Sequence, residues 1–558
     1  MMESAIANVD EHRASMERRH PAWVPMSLDR YLVRAASEFA DRPLVITDDI
    51  AMSYAEVDAA ATRIAQMLRN RGIKPGDRVA MLMANYPVTV ALLFGIWRAE
   101  ATAVPLNTLY RPEELGFVLA QSAPQLLIAM TGFLKRDYAK EIPTILPAGV
   151  DLLFYDPETP ASSDLAAAID AVTTIEPAGP VDAERFPAVI MYTSGTTGSP
   201  KGVLLTHDNL LRAAYAGAHH QAFEDGRRAI FSLPLYHGFG LVVGLLSGIV
   251  VGGSIVPLPR FDPRAILTGI GRHRATYLMG VPTMTVAMLE IAEQEEFDLS
   301  SLTAIHSAAA PTPSWVWQRI QDVFGCGEIF TSYGQTEATA TIICTQPGDD
   351  LEVVATTQGI IVKGGVAGIA ERGGDIAEFR IVDPANGADS PPGTPGEIWT
   401  RGPMNSLGYL DRPADTTALF AEGGWLRTGD LGYFRDDGNL LLTGRIRELF
   451  KSRGELVSPK EVEEVITTHS AIREAYVIGM PDDRYGECGC AWLVSADPVP
   501  PSVAEITAYL AERLPGYKVP RDIWFIDAAE LPKTGTGKVQ KNLLKDRAER
   551  LLAAGAAA

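Results

Sequence analysis

Over the first 180 residues the apolar positions follow two rhythms. Some stretches repeat at three- and four-residue spacing, and others run unbroken for a few residues. SLDRYLVRAASEFA, YAEVDAAATRIAQMLRNRG and YPVTVALLFGIWRAEAT read as helices, whereas RPLVITDD and RVAMLM read as strands. Such alternation predicts α/β layers. From about residue 350 to 445 the texture shortens to apolar runs broken by turns, as in GEIWTRGP, GWLRTGDLGYF and GNLLLTGR, which predicts a β-rich subdomain. Beyond Gly444 a charged segment, RIRELFKSRGELVSP, leads into a helix, EVEEVITTH, and two strands, EAYVIGM and CAWLVSA. This predicts a small α+β domain, with its boundary at Arg445 to Arg447. The expected division is a flexible tail over 1–25, a large α/β region over 26–446 comprising two α/β layers and the β-rich subdomain, and the small domain over 447–558.

One stretch breaks the rhythm. Gly238 to Pro259, GFGLVVGLLSGIVVGGSIVPLP, carries no charge for about the length of a membrane span. Its six glycines and terminal prolines predict a buried helix and strand instead. Length agrees with several units, since 558 residues exceed what one hydrophobic core usually serves. With 69 acidic against 49 basic side chains the formal net charge is −20, which disfavours nucleic acid or an anionic membrane as the main partner. An anionic ligand therefore needs a local site. Cys326, Cys344, Cys488 and Cys490 are too few and too unevenly spaced for a disulfide framework or a CxxC zinc site, and are expected as reduced thiols in a cytoplasm. The first 25 residues lack the apolar run of a secretory signal, and the chain ends in AAGAAA rather than SKL, so a cytoplasmic location is expected.

Between the apolar runs FPAVIM and VLLTHDNLL stands YTSGTTGSPKG, residues 192 to 202. Backbone N–H groups freed by glycine, with serine and threonine hydroxyls, suit phosphate oxygens, although a polar surface turn would have the same composition. It is not a P-loop, which counted from Gly195 would need glycine at Pro200 and a hydroxyl residue at Gly202. Five further motifs follow in order: SLPLYHGFG at 232 to 240, TSYGQTEA at 331 to 338, GWLRTGD at 424 to 430, TGRIRELFKSRGELVSPKEVE at 443 to 463, and LPKTGTGKVQK at 531 to 541. Together they resemble the core motifs of the AMP-forming acyl- and aryl-CoA synthetases, the adenylating superfamily that includes luciferases and peptide-synthetase adenylation domains. The resemblance runs from about residue 30 to about residue 545.

What the resemblance implies is a two-step ligase using ATP, Mg²⁺ and coenzyme A, with a small mobile C-terminal domain that rotates about a hinge between the steps. A carboxylate is a poor acyl donor until AMP gives it a leaving group. Bringing that anion to a polyphosphate needs fixed positive charge, worth roughly 4 kcal/mol per charge pair about 4 Å apart at an effective dielectric of about 20. By resemblance, Thr193, Ser194, Gly195, Thr196, Thr197 and Gly198 hold the β- and γ-phosphates, with Lys201 at the loop's end. Thr336 touches the α-phosphate, and Glu337 ligates Mg²⁺. Tyr333 and Gly334 lie along adenine, and Ala308, Ala309 and Ala310 form the opposite wall. Asp430 and Arg445 bind the ribose, and Lys538 bridges the acid and the α-phosphate. Singly, Glu337 reads as a surface acid, Asp430 as a turn residue, Lys538 as a solvated lysine and His237 as a core histidine; their joint order favours the site.

For the acid, the resemblance points to His237, Gly238, Gly240 and Gly334. Amino-acid-activating relatives carry an aspartate near this motif, whereas PLYHGFG offers none, so an uncharged, hydrophobic acid is expected. Gly238, Gly240 and Gly244 suggest a roomy apolar pocket for a medium-chain, cyclic or aromatic carboxylate. For thiol transfer the resemblance assigns the hinge to Arg447, where Asp or Lys is commoner, and CoA contacts to Arg453, Gly454 and Glu455. A homodimer is left open. Other acceptors, a carrier protein or an amine, keep the same adenylation step. A dinucleotide oxidoreductase is the remote alternative, because GFGLVVG is a GxGxxxG variant with Asp262 about 20 residues on, though Pro234 interrupts the supposed strand.

Overall fold

The computed structural model describes residues 8–193, 200–309, 312, 314–482, 485–534 and 538–556. The apolar runs form two large sheets. One has six strands in the order Lys201–Thr206, Pro187–Thr193, Thr102–Pro105, Arg78–Leu82, Leu126–Met130 and Asp151–Tyr155, parallel except for the first pair. The other has seven, in the order Glu328–Phe330, Ala304–Ser307, Tyr277–Gly280, Arg228–Phe231, Ser254–Pro257, Pro43–Ile46 and Ala51–Ser53. Its interior strands are buried on both faces, which is why they read as unbroken apolar runs.

The helices form where the periodicity places them. Tyr54–Asn70 starts at a capping box in which the Ser53 hydroxyl accepts from the Glu56 N–H and the Glu56 carboxylate accepts from the Ser53 N–H. It packs tightly against Pro87–Arg98, where a Cβ on Gly95 would come within 2.4 Å of Ile64. The uncharged stretch is a π-type helix, Phe239–Leu246, continuing through Ser247–Val250 into the strand Ser254–Pro257, all buried. No helix among the described residues is long and apolar enough to cross a membrane.

A third sheet comprises Glu378–Val382, Gly396–Arg401, Trp425–Phe434, Phe420–Ala421 and Leu440–Arg445, the β-rich subdomain. The small domain follows the turn Ile446–Glu448. Its central strands Ile472–Asp482 and Gly486–Ser495 are buried on both faces by period-two alternation. Val477, Ala491 and Leu493 meet helices Pro459–Thr467 and Val503–Ala511; Ile478, Cys490, Trp492 and Val494 meet helix Lys541–Ala556. The chain is thus an α/β protein with a large N-terminal domain and a small C-terminal one.

The expected tail over 1–25 is corrected in part. Val9–Arg19 is a helix with one buried apolar residue, Met16. Polar contacts hold it: Arg13 donates to the carbonyls of His219 (3.1 Å) and His220 (2.8 Å), and His12 Nδ1 donates to that of Ala222 (3.0 Å). With no apolar stripe, the helix leaves no periodic signal, and partners some 200 positions away are invisible to a local reading.

Candidate active site

Three elements of the large domain converge on one carboxylate. Asp430, in the strand Trp425–Phe434, lies in register opposite Arg445 in Leu440–Arg445. Its Oδ1 is 2.8 Å from Arg445 Nε, and its Oδ2 accepts the Tyr333 hydroxyl at 2.8 Å. Asp430 and Tyr333 are both buried. Burial first, and the Asp430 charge second, raise the Tyr333 phenol well above its ordinary range, so it remains a donor. Behind it His306 is hydrogen-bonded to Ser332 Oγ (2.9 Å) and Tyr277 OH (2.8 Å), which fixes the short strand Ser332–Tyr333 from below.

The chain then doubles back. A Cβ on Gly334 would stand 1.5 Å from the Ala340 carbonyl oxygen, so no other residue fits there without moving the backbone. Thr339 (φ 52°) and Ala340 (φ 71°) are left-handed, as is Ala309 (φ 72°) beside the buried Ala308. Left-handed non-glycine residues gather at functional sites because surrounding structure must hold them. Thr336 and Glu337 occupy the 3-10 turn Thr336–Ala338.

Glu337 connects to the strand pair that flanks the hydroxyl and glycine loop. Tyr409 OH donates to Glu337 Oε1 at 2.7 Å, and among the described residues it is that carboxylate's one side-chain hydrogen-bond partner. The Lys201 ammonium lies 5.0 Å from the centre of the Tyr409 ring and 2.5 Å from Asp415 Oδ1. Tyr409 thereby spaces Lys201 from Glu337. Thr193 and Lys201 close the hairpin in register, and Thr193 Oγ1 donates to the Lys201 carbonyl at 3.4 Å. Ser194, Gly195, Thr196, Thr197 and Gly198, and likewise Ala310, lie outside the described residues.

Lys538 enters from the small domain. Lys538 lies in the electrostatic field of Arg445, Asp430, Glu448 and Lys541. Desolvation, then Arg445, push its pKa down to about 8, against the pull of Asp430 and Glu448. His237 feels the same ammonium: burial, then Lys538, lower it to about 4, so its imidazole is neutral at pH 7. The Phe239 N–H donates to His237 Nδ1 at 3.2 Å, which leaves the ring hydrogen on Nε2. Lys541 anchors the end of the Lys538 segment, pairing with Glu448 at 2.8 Å and with Glu463 at 2.7 Å. Glu448 follows Arg447 in the turn Ile446–Glu448, so the turn expected to hold the hinge is tied to the Lys538 segment. Arg473 of the small domain also meets Glu290 of the large one at 2.8 Å.

Two expectations are corrected. Gly238, Gly240 and Gly244 make close packing, not a roomy pocket. Added Cβ atoms would lie 3.2 Å from Ala340 Cβ, 2.4 Å from the Pro234 carbonyl and 2.8 Å from the Phe231 ring, respectively. The same packing removes the dinucleotide alternative: Gly240 and Gly244 lie inside a helix, and the preceding strand, Arg228–Phe231, ends before Pro234. Arg453 (φ 55°) and Gly454 (φ 85°) form the two-residue turn between Phe450–Ser452 and Glu455–Val457, where both positions require left-handed backbone. The Arg453 guanidinium lies over the Tyr485 ring at 4.5 Å, and Glu455 is exposed. This turn belongs to the small domain's own surface, and its described contacts do not include the Lys538 cluster.

Tyr409, Asp415, Ala340 and Lys541 were not singled out from sequence. Lys541 ends the motif LPKTGTGKVQK and was legible there; Tyr409 had no local signal. Also unmarked was a cavity of about 560 Å³ lined by Thr108, Leu109, Phe133, Leu134, Lys135, Arg136 and Arg260. Burial raises the phenol of Tyr236, the neighbour of His237, and Thr108 in the cavity wall opposes that rise.

A family model described as AMP-binding enzyme matches residues 32–410, and one described as AMP-binding enzyme C-terminal domain matches 461–538. The chain is 31% identical over 545 residues to the putative acyl-CoA synthetase YngI of Bacillus subtilis, covering 93% of this chain and 97% of that protein. To a feruloyl-CoA synthase of Amycolatopsis it is 34% identical over 500 residues, covering 89% and 94%. Among solved structures, the o-succinylbenzoate coenzyme A synthetase MenE of Bacillus subtilis in complex with ATP and magnesium ion matches with a TM-score of 0.77 at 30% identity, covering 92% of this chain and 99% of that one.

Proposed function

The chain belongs to the AMP-binding enzyme family, and we propose that it activates a hydrophobic carboxylic acid as its acyl-adenylate and then passes the acyl group to CoA. The activity is that of an AMP-forming acid–CoA ligase. The observation that carries the assignment of residues is that Lys538, from the small domain, comes within electrostatic range of Asp430, Arg445 and His237 of the large one. In that arrangement Asp430 and Arg445 hold the ribose, Tyr333 lies against adenine, and the Lys538 ammonium draws the acid carboxylate and the α-phosphate together. Attack by the carboxylate oxygen on phosphorus then expels pyrophosphate, and the ammonium offsets charge on the oxygens around the α-phosphorus. His237, neutral and oriented through Nδ1, presents Nε2–H to the acyl side without adding a charge.

The residues at Glu337 fit a hard divalent cation. Tyr409 occupies Oε1, and one carboxylate oxygen with phosphate oxygens and water suits Mg²⁺. When bound, Mg²⁺ would neutralise charge on the triphosphate. Lys201, held off Glu337 by Tyr409, serves the same phosphates. For the acceptor, the cavity beside Tyr236 joins cationic Lys135, Arg136 and Arg260 to apolar Leu109, Phe133 and Leu134, which suits the phosphates and adenine of CoA. The feruloyl-CoA synthase relationship, together with a neutral acyl side, supports an aromatic, cyclic or medium-chain acid.

ATP–pyrophosphate exchange across a panel of acids, followed by AMP release with CoA, an amine or no acceptor, tests the reading. Exchange is expected with hydrophobic acids, and net AMP release with CoA. Exchange without any acid dependence would overturn it, as would AMP release that CoA leaves unchanged.

A further inference from the structure

On the small domain, two cysteines and a carboxylate meet at a place the ligase reaction does not use. Cys488 and Cys490 alternate along the strand Gly486–Ser495, so both thiols point to the face covered by helix Lys541–Ala556. Asp522 opens the parallel neighbour Asp522–Phe525 and stands directly opposite Cys490 in register. Cys490 Sγ donates to Asp522 Oδ2 at 3.6 Å, and the two sulfurs and a carboxylate oxygen all lie within 4.8 Å of one another. Cys488 is 5% and Cys490 0% exposed, and the half-buried Asp522 forms the solvent side. Around them the face is apolar, with Ile478, Met480, Trp492 and Val494.

We propose that Cys488, Cys490 and Asp522 form a binding site for a thiophilic divalent cation of the zinc class, with a fourth position left to water. Tetrahedral zinc with sulfur at about 2.3 Å and oxygen at about 2.0–2.2 Å holds its ligand atoms roughly 3.4–3.8 Å apart. The pair Cys490–Asp522 already has that spacing, and Cys488 needs a side-chain adjustment only. Two thiolates select against Mg²⁺ and Ca²⁺. Arg521 supplies the outer support: its Nε donates to Asp522 Oδ2 at 2.7 Å and its other arm pairs with Asp482, which orients the carboxylate. Binding replaces two thiol protons with one divalent ion, so the net charge of this half-buried cluster is unchanged. The ion would clamp the strand Gly486–Ser495 to Asp522–Phe525, the strand that leads into the Lys538 segment.

The test uses the full chain, reduced and stripped of metal, titrated with Co²⁺ as a spectroscopic probe and then with Zn²⁺. One equivalent of Co²⁺ is expected to give the near-ultraviolet charge-transfer band of thiolate ligation with release of two protons, and one equivalent of Zn²⁺ should then displace the Co²⁺ with no further proton release. Cys488→Ser and Cys490→Ser should abolish the band, Asp522→Asn should weaken it, and Glu337→Gln should leave it intact. In the wild-type chain, which needs no substitution, Zn²⁺ should slow alkylation of Cys488 and Cys490 by about tenfold or more. Absence of the band in the wild type, its survival in both cysteine variants, or alkylation indifferent to Zn²⁺ would each overturn the proposal.

Discussion

If Lys538 acts as an ammonium in adenylation, its displaced pKa should appear as an alkaline limb. The group is active when protonated, so activity is retained below the pKa and lost above it. With a pKa of about 8, roughly ten molecules in eleven carry the charge at pH 7 and about one in eleven at pH 9. The kcat/KM for ATP in acid-dependent pyrophosphate exchange should therefore fall by about tenfold between pH 7 and pH 9. Bound triphosphate stabilises the cation, so the limb in kcat should lie at higher pH than that in kcat/KM. Lys538→Arg should remove the limb, because a guanidinium stays charged throughout, while lowering the rate through altered geometry. Lys538→Ala should cost on the order of 10²–10³ in exchange but spare thiol transfer from a supplied acyl-adenylate. His237 adds no limb between pH 5 and pH 9, since it is already neutral above about 4. A kcat/KM that stays level from pH 7 to pH 10 in the wild type would refute the reasoning, as would a Lys538→Arg profile that keeps the limb.

Three further outcomes are expected. Tyr409→Phe keeps the ring under Lys201 but removes the 2.7 Å hydrogen bond to Glu337; at about 1.5 kcal/mol for a bond to a charged group, half-saturating Mg²⁺ in the exchange assay should rise about tenfold, and an unchanged Mg²⁺ curve would count against the spacer role. Asp430→Asn leaves Arg445 and Tyr333 without their shared anion, and calorimetric AMP affinity should drop by tenfold or more, of order 1.5–3 kcal/mol, with the fold retained. Gly334→Ala places a Cβ 1.5 Å from the Ala340 carbonyl, so thermal or denaturant unfolding should show a loss of about 2 kcal/mol, and wild-type stability would show that this loop yields more easily than its packing indicates.

Much of the architecture was legible because local rhythm and local chemistry coincide. The buried strand Arg78–Leu82 is a plain apolar run, and Tyr54–Asn70 announces itself by its cap and its stripe. The helix Val9–Arg19 was missed because it is held by polar contacts to a helix about 200 residues away. The glycines of GFGLVVG misled because glycine marks both open space and close packing, and only neighbouring atoms distinguish them.

The same division holds for the chemistry. The sequence by itself determined the reaction class, through six motifs in order. Tertiary structure alone decided that Lys538 comes within electrostatic range of Asp430, that Tyr409 stands between Lys201 and Glu337, that Cys488 and Cys490 share one strand, and that Asp522 lies beside them. A side chain's type and its periodic direction are properties of a few neighbouring residues. Its distance from a group dozens or hundreds of positions away depends on how sheets register and domains dock, and that distance sets electrostatic and coordination energies.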